Sequence, residues 1–174
     1  MTGRRPVDVD RAELKAAQGP LKERYREDAA AALVTLRAEG LLGEEGVSCS
    51  VSTGRALVEA GLHPATGGTG LLACSGDMLL EALVACAGVT LRAVATSLGL
   101  DVHGTVRAEG DIDFRGTLGV AKDEAVPVGF TAIRLRFDLV HDEDDAAIAK
   151  LLELTERYCV VFQTLAGGVP VELA

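Results

Sequence analysis

The stretch DMLLEALVACAGVTLRAVATSLGL, from Asp77 to Leu100, constrains this chain most. It predicts one long helix with Cys86 at its middle. On a wheel of 3.6 residues per turn, Leu79, Ala82, Leu83, Val89, Thr90 and Ala93 share the face of Cys86. None is charged, and Glu81 and Arg92 fall away from that face. The expectation is a cysteine pointing into apolar surroundings. Such a cysteine behaves as a small hydrophobe unless a neighbour stabilises its thiolate. Glu81 and Arg92 also interrupt the run, which points to a core helix rather than a membrane span.

Bulk properties narrow the field. At 174 residues the chain suggests one domain. Hydrophobic residues make up 48% but aromatic ones only 3%, so the core must come from Leu, Val, Ala and Ile. That thin aromatic payload hints that an oligomer completes the core. The formal charge of −9, with no basic run, argues against nucleic acid and anionic membrane surfaces. No apolar segment follows the first residues, so a cytoplasmic location is expected. Cys49, Cys74, Cys86 and Cys159 show no metal-binding spacing, and His63, His103 and His141 are scattered. No metal or cofactor is therefore expected.

Along the chain, residues 1–43 are expected to form N-terminal accessory helices and 44–174 the main domain. A short helix should end at Gly19, with Pro20 opening a second whose stripe is Leu21, Tyr25, Ala29, Leu33 and Leu36. Val47–Thr53 alternates as a strand, and a second short strand falls around Arg55–Glu59. TGGTG before the long helix lacks the residues of a phosphate loop, and Ser75 or Asp77 can cap that helix. Val102–Ala108 and Asp111–Val120 read as strands turning at Glu109–Gly110. Lys122–Pro127 is a polar turn. Phe130–Val140 alternates Ile133, Leu135, Phe137 and Leu139 against Arg134, Arg136 and Asp138. Residues 143–157 form an amphipathic helix that faces inward through Ile148, Leu151, Leu152 and Thr155. Cys159 closes it, and Gly167–Gly168 turns into a last strand, VPVEL. Antiparallel strands with two core helices make an α+β fold.

Three segments carry a resemblance: SGDMLLEALVACAGVTLRAVA, the DFRGTLGV stretch and TERYCVVFQTLAGGVPVEL. Together they resemble the OsmC/Ohr family of thiol peroxidases over about residues 47–173. The family's peroxidatic cysteine ends an LLxALxxC pattern; here LLEALVAC ends at Cys86. Its resolving cysteine follows the next helix, where RYCVVFQTL carries Cys159. The resemblance implies an interlocked homodimer, with antiparallel sheets wrapped around two central helices. It implies reduction of organic hydroperoxides through a Cys86 sulfenate and a disulfide with Cys159, and resetting by an external dithiol. It also implies an arginine held by a carboxylate beside the thiolate, for which Arg55 and Asp77 are the positional candidates. Glu81, with Arg157 or Arg115, is an alternative. Where the family usually has a Pro-Glu pair, this chain has Ser75-Gly76-Asp77. Cys49, alternating into a sheet face, reads as structural, and Cys74 as a bystander.

Two other functions fit the same residues less closely. One is a non-catalytic redox-sensing or ligand-binding protein on this scaffold. The other is a cysteine hydrolase with His63 as base, which lacks an evident acid and oxyanion site.

Overall fold

A computed structural model describes residues 11–28, 39–42, 48–52, 57–119 and 126–173. Arg55, Leu33, Leu36 and most of the Lys122–Pro127 turn lie outside these residues, as do the side chains of Leu21, Tyr25 and Cys49. In order, the elements are α1 (Arg11–Glu27), β1 (Glu39–Leu42), β2 (Ser48–Ser52), β3 (Leu57–Gly61), β4 (Ala73–Cys74), α2 (Ser75–Leu98), β5 (Val102–Ile112), α3 (Phe114–Thr117), β6 (Phe130–His141), α4 (Asp145–Tyr158) and α5 (Val160–Gly167). The fold is α+β.

Contacts divide the chain into two compact units. Among the described residues, the first holds 11–28, 86–105 and 138–173. The second holds 39–42, 48–52, 57–85, 106–119 and 126–137.

In the second unit β1, β2 and β3 pair antiparallel, with Leu42 opposite Cys49 and Cys49 opposite Ala60. The short β4 adds in parallel, Gly61 opposite Cys74. β1 corrects the helical expectation for residues up to 42, and Gly40, a poor helix former, sits inside it.

In the first unit α1 runs unbroken through Pro20, where two helices were expected. Proline crowds the Cβ of the residue before it. Gly19 has none, so the helix continues at the cost of one hydrogen bond.

The long helix forms as the periodicity predicts, but its buried stripe is rotated. Leu83 (2% exposed), Ala87 (0%), Leu91 (5%) and Ala95 (0%) line it at spacings of four. Leu79 and Ala82 are exposed and Val89 is 72% exposed, so Cys86 sits half-buried at the edge of the stripe. Its length and apolarity, with mean hydropathy 1.8, would also suffice to cross a membrane. In the first unit Val102 (0%), Leu151 (0%), Thr155 (1%) and Cys159 (1%) are buried as well. Arg92, on the exposed side, donates to the carbonyl of Val102 at 2.8 Å and ties α2 to the start of β5.

β5 and β6 pair as a two-stranded sheet. Gly104 lies against Asp138 and Leu139, and Gly110 against Phe130, which sets them antiparallel. The expected turn at Glu109–Gly110 is absent, because β5 runs straight through it. Gly110 is there for close approach instead: a Cβ would stand 2.3 Å from the Phe130 ring. The expected strand from Asp111 ends at Ile112. Asp113 then caps α3, accepting from the N–H of Arg115 at 3.0 Å.

α4 begins where its acidic run predicts. Asp144 caps it, accepting from the N–H of Ala147 at 2.7 Å, and Asp145 favours the dipole. VVFQTLAG is a second helix, α5, closed by Gly168 in the left-handed conformation. Residues 169–173 form no strand, contrary to expectation.

Candidate active site

The joint between α4 and α5 places the second cysteine. Cys159 is extended (φ −74°, ψ 107°), and this single residue turns the chain from one helix into the next. Its N–H donates to the carbonyl of Thr155 at 3.0 Å and closes α4. Its carbonyl accepts from the N–H of Gln163 at 2.9 Å and opens α5. The Gln163 side chain donates to the Glu156 carbonyl at 2.9 Å, across the joint. Buried Thr155 satisfies its hydroxyl on the Leu151 carbonyl at 2.8 Å. Bonds on both sides therefore fix Cys159, and its own side chain is free of any capping duty.

The first turn of α5 then points its free N–H groups at Cys86. Burial pushes the Cys86 thiol up. The N–H of Val161, the Cys159 thiol, the N–H of Val160 and the Thr90 hydroxyl all donate to its sulfur, and together they outweigh burial and hold the pKa below the ordinary thiol value. The first-turn N–H groups of a helix have no intrahelical partners and carry its positive end, so they suit an anion. Cys159 is pushed the other way. Burial raises it, the N–H groups of Phe162 and Val161 lower it, and donating to the Cys86 thiolate raises it again. The pair is thus unequal: Cys86 is the more acidic thiol and Cys159 the less acidic one beside it.

Of the four residues expected at the site, the structure brings Cys86 and Cys159 together, both as free cysteines. Arg55 lies outside the described residues. Asp77, in the first turn of α2, lines a cleft of the second unit with His63, Cys74, Phe114 and Phe130. Among the described residues the groups holding the thiolate are dipoles rather than a charged side chain. The alternative cations are engaged elsewhere: Arg115 with Asp113 at 3.0 Å, and Arg157 over the Tyr158 ring at 5.5 Å. His63 accepts from the N–H of Ala65 at 3.0 Å and stacks on Phe114, with ring centroids 4.9 Å apart. No group of three metal-binding side chains occurs among the described residues.

Sequence reasoning missed Val160, Val161 and Thr90 as partners of the thiolate. Thr90 was detectable, because position i+4 on a helix places its hydroxyl over Cys86. The two valines give no signal, since their contribution comes from the backbone.

Two clefts flank the pair within the first unit. One, of about 540 Å³, starts at Thr90 and is lined by Val89, Ala93, Val94, Leu98 and Leu154. The other, of about 430 Å³, holds Cys159 itself, with Arg157, Tyr158, Val160 and Val169.

A model of the family described as OsmC-like protein matches residues 68–174, which contain Cys86 with α2 and Cys159 with the α4–α5 joint. The chain belongs to the OsmC-like family. Solved OsmC structures share its fold. An OsmC-like protein from Mycoplasma pneumoniae is 15% identical, with a TM-score of 0.64 over 77% of this chain and 89% of that one. An organic hydroperoxide resistance protein from Legionella pneumophila is 19% identical, with a TM-score of 0.55 over 81% and 96%. One from Elizabethkingia anophelis, also 19% identical, gives 0.56 over 81% and 94%. At these identities the likeness to OsmC structures is one of fold. No curated protein sequence matches the chain.

Proposed function

We propose that this OsmC-like protein is a cysteine-based peroxidase that reduces organic hydroperoxides. One observation carries the reading: a depressed-pKa Cys86 accepts a hydrogen bond from a second, buried cysteine, with two helix N–H groups aimed at its sulfur. In the reaction the Cys86 thiolate attacks the distal oxygen of ROOH. The O–O bond breaks, the alkoxide leaves and takes a proton as ROH, and Cys86 becomes a sulfenic acid. Cys159 then attacks the sulfenic sulfur. Water leaves and a disulfide forms. A dithiol of the cell returns both cysteines to the reduced state.

The same N–H groups that hold the thiolate are placed to attend the sulfenic oxygen. The apolar cleft at Thr90 suits the tail of an alkyl or lipid hydroperoxide, each buried methylene contributing about 0.8 kcal/mol. Leu79, Val89 and Leu98 leave apolar side chains of α2 exposed, which favours a homodimer as the working form. Two of its fold relatives are organic hydroperoxide resistance proteins, which supports the same reading.

The test is turnover of cumene hydroperoxide with dithiothreitol, followed by mass spectrometry of the protein. Cys86→Ser should abolish consumption. Cys159→Ser should complete a single oxidation and accumulate sulfenic or overoxidised Cys86. Turnover by Cys86→Ser equal to the parent's rules the peroxidase out. Turnover absent from the parent, with a reversible disulfide still formed, would favour the redox-sensor reading.

A further inference from the structure

Three helices of the first unit wall the cleft at Thr90, and one of them lies outside the part of the chain that matches the family. α2 supplies Thr90, Ala93, Val94 and Ser97, at offsets of three, four and seven, so they form one stripe. Cys86 stands on the same stripe one turn earlier, and Thr90, which lines the cleft, bonds the Cys86 sulfur through its hydroxyl. α4 supplies Leu154 and Tyr158, again four apart, and Tyr158 immediately precedes Cys159. Both stripes therefore start beside the cysteine pair and run away from it. From Thr90 to Leu98 the α2 wall is about 12 Å long, at about 1.5 Å per residue. No charged residue lines the cleft.

The third wall is α1, through Gln18. The family match begins only at residue 68. Of the α1 residues whose burial is described, Gln18 and Gly19 are half-buried and the others are exposed. Arg11, seven residues before Gln18 and on the same face, reaches the end of α2: a Cβ built on Gly99 would stand 3.9 Å from Arg11 Nη1. α2 ends at Leu98, where its orphan carbonyls carry the negative end of the helix, so a guanidinium there helps to dock α1. Arg11 thus marks the outer end of the cleft, and Gln18 lies further in.

We propose that α1 is a length gauge for the substrate: the cleft takes the unbranched alkyl tail of a medium-chain hydroperoxide, Gln18 closes its side, and the Arg11 end limits its length. The proposal rests on the peroxidase reading for the reacting end of the substrate. The tail's site is independent of that reading. A tail that starts at Thr90 covers Val89 and Leu98, which are otherwise 72% and 41% exposed. Gln18 is uncharged, so the tail passes it without stripping water from an ion. Past Leu98 the apolar stripe stops and a hydrated cation stands over Gly99, so further methylenes gain nothing.

The experiment is calorimetric titration of the full, reduced chain with n-butanol, n-hexanol, n-octanol and n-decanol. These belong to the chemical class of the product and do not react with thiols. Affinity should rise about fourfold per methylene and level off once the chain outgrows the stretch from Thr90 to Leu98. Gln18→Leu should tighten n-octanol several-fold and Gln18→Glu should loosen it several-fold. Ala16→Leu and Ala16→Glu, at an exposed position of the same helix, should match the parent. The ratio of kcat/KM for n-octyl hydroperoxide to that for tert-butyl hydroperoxide should move in the same sense as the n-octanol affinity. No binding by any alkanol, as a second subunit filling the cleft would give, overturns the proposal. So does an affinity that keeps rising with chain length, or one that the Gln18 and Ala16 variants change alike. If the alkanols bind as stated and no hydroperoxide is turned over, the peroxidase reading fails while the tail site stands.

Discussion

Replacing Val160 with proline would remove one of the two backbone donors to Cys86 and little else. Proline lacks an N–H and fixes φ near about −65°, which suits the first position of a helix. Val160 is that position in α5. The residue before a proline is pushed into extended conformations, and Cys159 already adopts one, at φ −74° and ψ 107°. The Val160 side chain is 70% exposed, so its loss opens no cavity. The variant should therefore fold, and the change should register at Cys86.

The magnitude follows from the bond removed. A hydrogen bond to a charged group contributes about 1.5–3 kcal/mol. Cys86 is only half-buried, and Val161, Thr90 and Cys159 still donate to it, so the lower end applies. Losing about 1.4 kcal/mol of this stabilisation shifts the thiol–thiolate balance about tenfold and moves the Cys86 pKa up, toward the ordinary thiol value. Below that pKa the thiolate fraction falls roughly tenfold, and the alkylation rate falls with it. The assay is the rate of iodoacetamide alkylation at Cys86, resolved by peptide mapping and followed against pH. The parent profile should lose reactivity as pH drops through the depressed pKa. The Val160→Pro profile should be displaced to higher pH, and Val160→Ala, which keeps the N–H, should match the parent. A folded Val160→Pro with the parent's profile would refute the idea that the α5 backbone holds the thiolate, and would return that role to a side-chain cation such as Arg55.

Two further predictions concern the β5–β6 pair. Gly104 has φ +142°, and a Cβ there would stand 2.0 Å from the Asp138 carbonyl oxygen. Gly104→Ala should cost about 2 kcal/mol or more in urea unfolding, whereas Gly129→Ala, with open space around it, should change little. In the same sheet Arg134 bonds Asp111 and, with its charge, holds that carboxyl below the usual range; Arg115 does the same for Asp113. A pKa lowered by folding adds stability above the ordinary carboxylate value, and that stability is lost as pH falls through the lowered one. Arg134→Gln should thus lower Tm at neutral pH and low salt, and the gap should close in acid or high salt. A gap that does not change with pH would be evidence against this pairing.

How far the sequence reached depends on what kind of group does each job. Apolar periodicity found α2 and α4, because side chains set it. The cysteines were visible as letters, and the family pattern around LLEALVAC and RYCVVFQTL joined them. Glycines misled in two places. Gly19 looked like a helix stop and is what lets α1 pass Pro20; Gly110 looked like a turn and is where Phe130 packs. Both errors read local flexibility into residues that serve by lacking a Cβ, and for Gly110 that depends on a partner distant in sequence, Phe130. The α5 helix was missed because VVF is β-branched and aromatic, which favours strands locally. Its ends decide the matter: extended Cys159 begins it and left-handed Gly168 stops it.

The search for a thiolate partner failed for a deeper reason. It looked for charge, and charge is written in the side chains. A backbone N–H is present at every residue but proline, so nothing in the sequence distinguishes Val160 and Val161 from any other valine. What distinguishes them is that α4 ends and α5 begins at a single residue, which leaves their N–H groups without helical partners and beside Cys86. That residue is the resolving cysteine of the proposed reaction. Moving Cys159 one position along the joint would therefore alter both functions together: the sulfur that forms the disulfide, and the donors that hold Cys86 ionised before it forms.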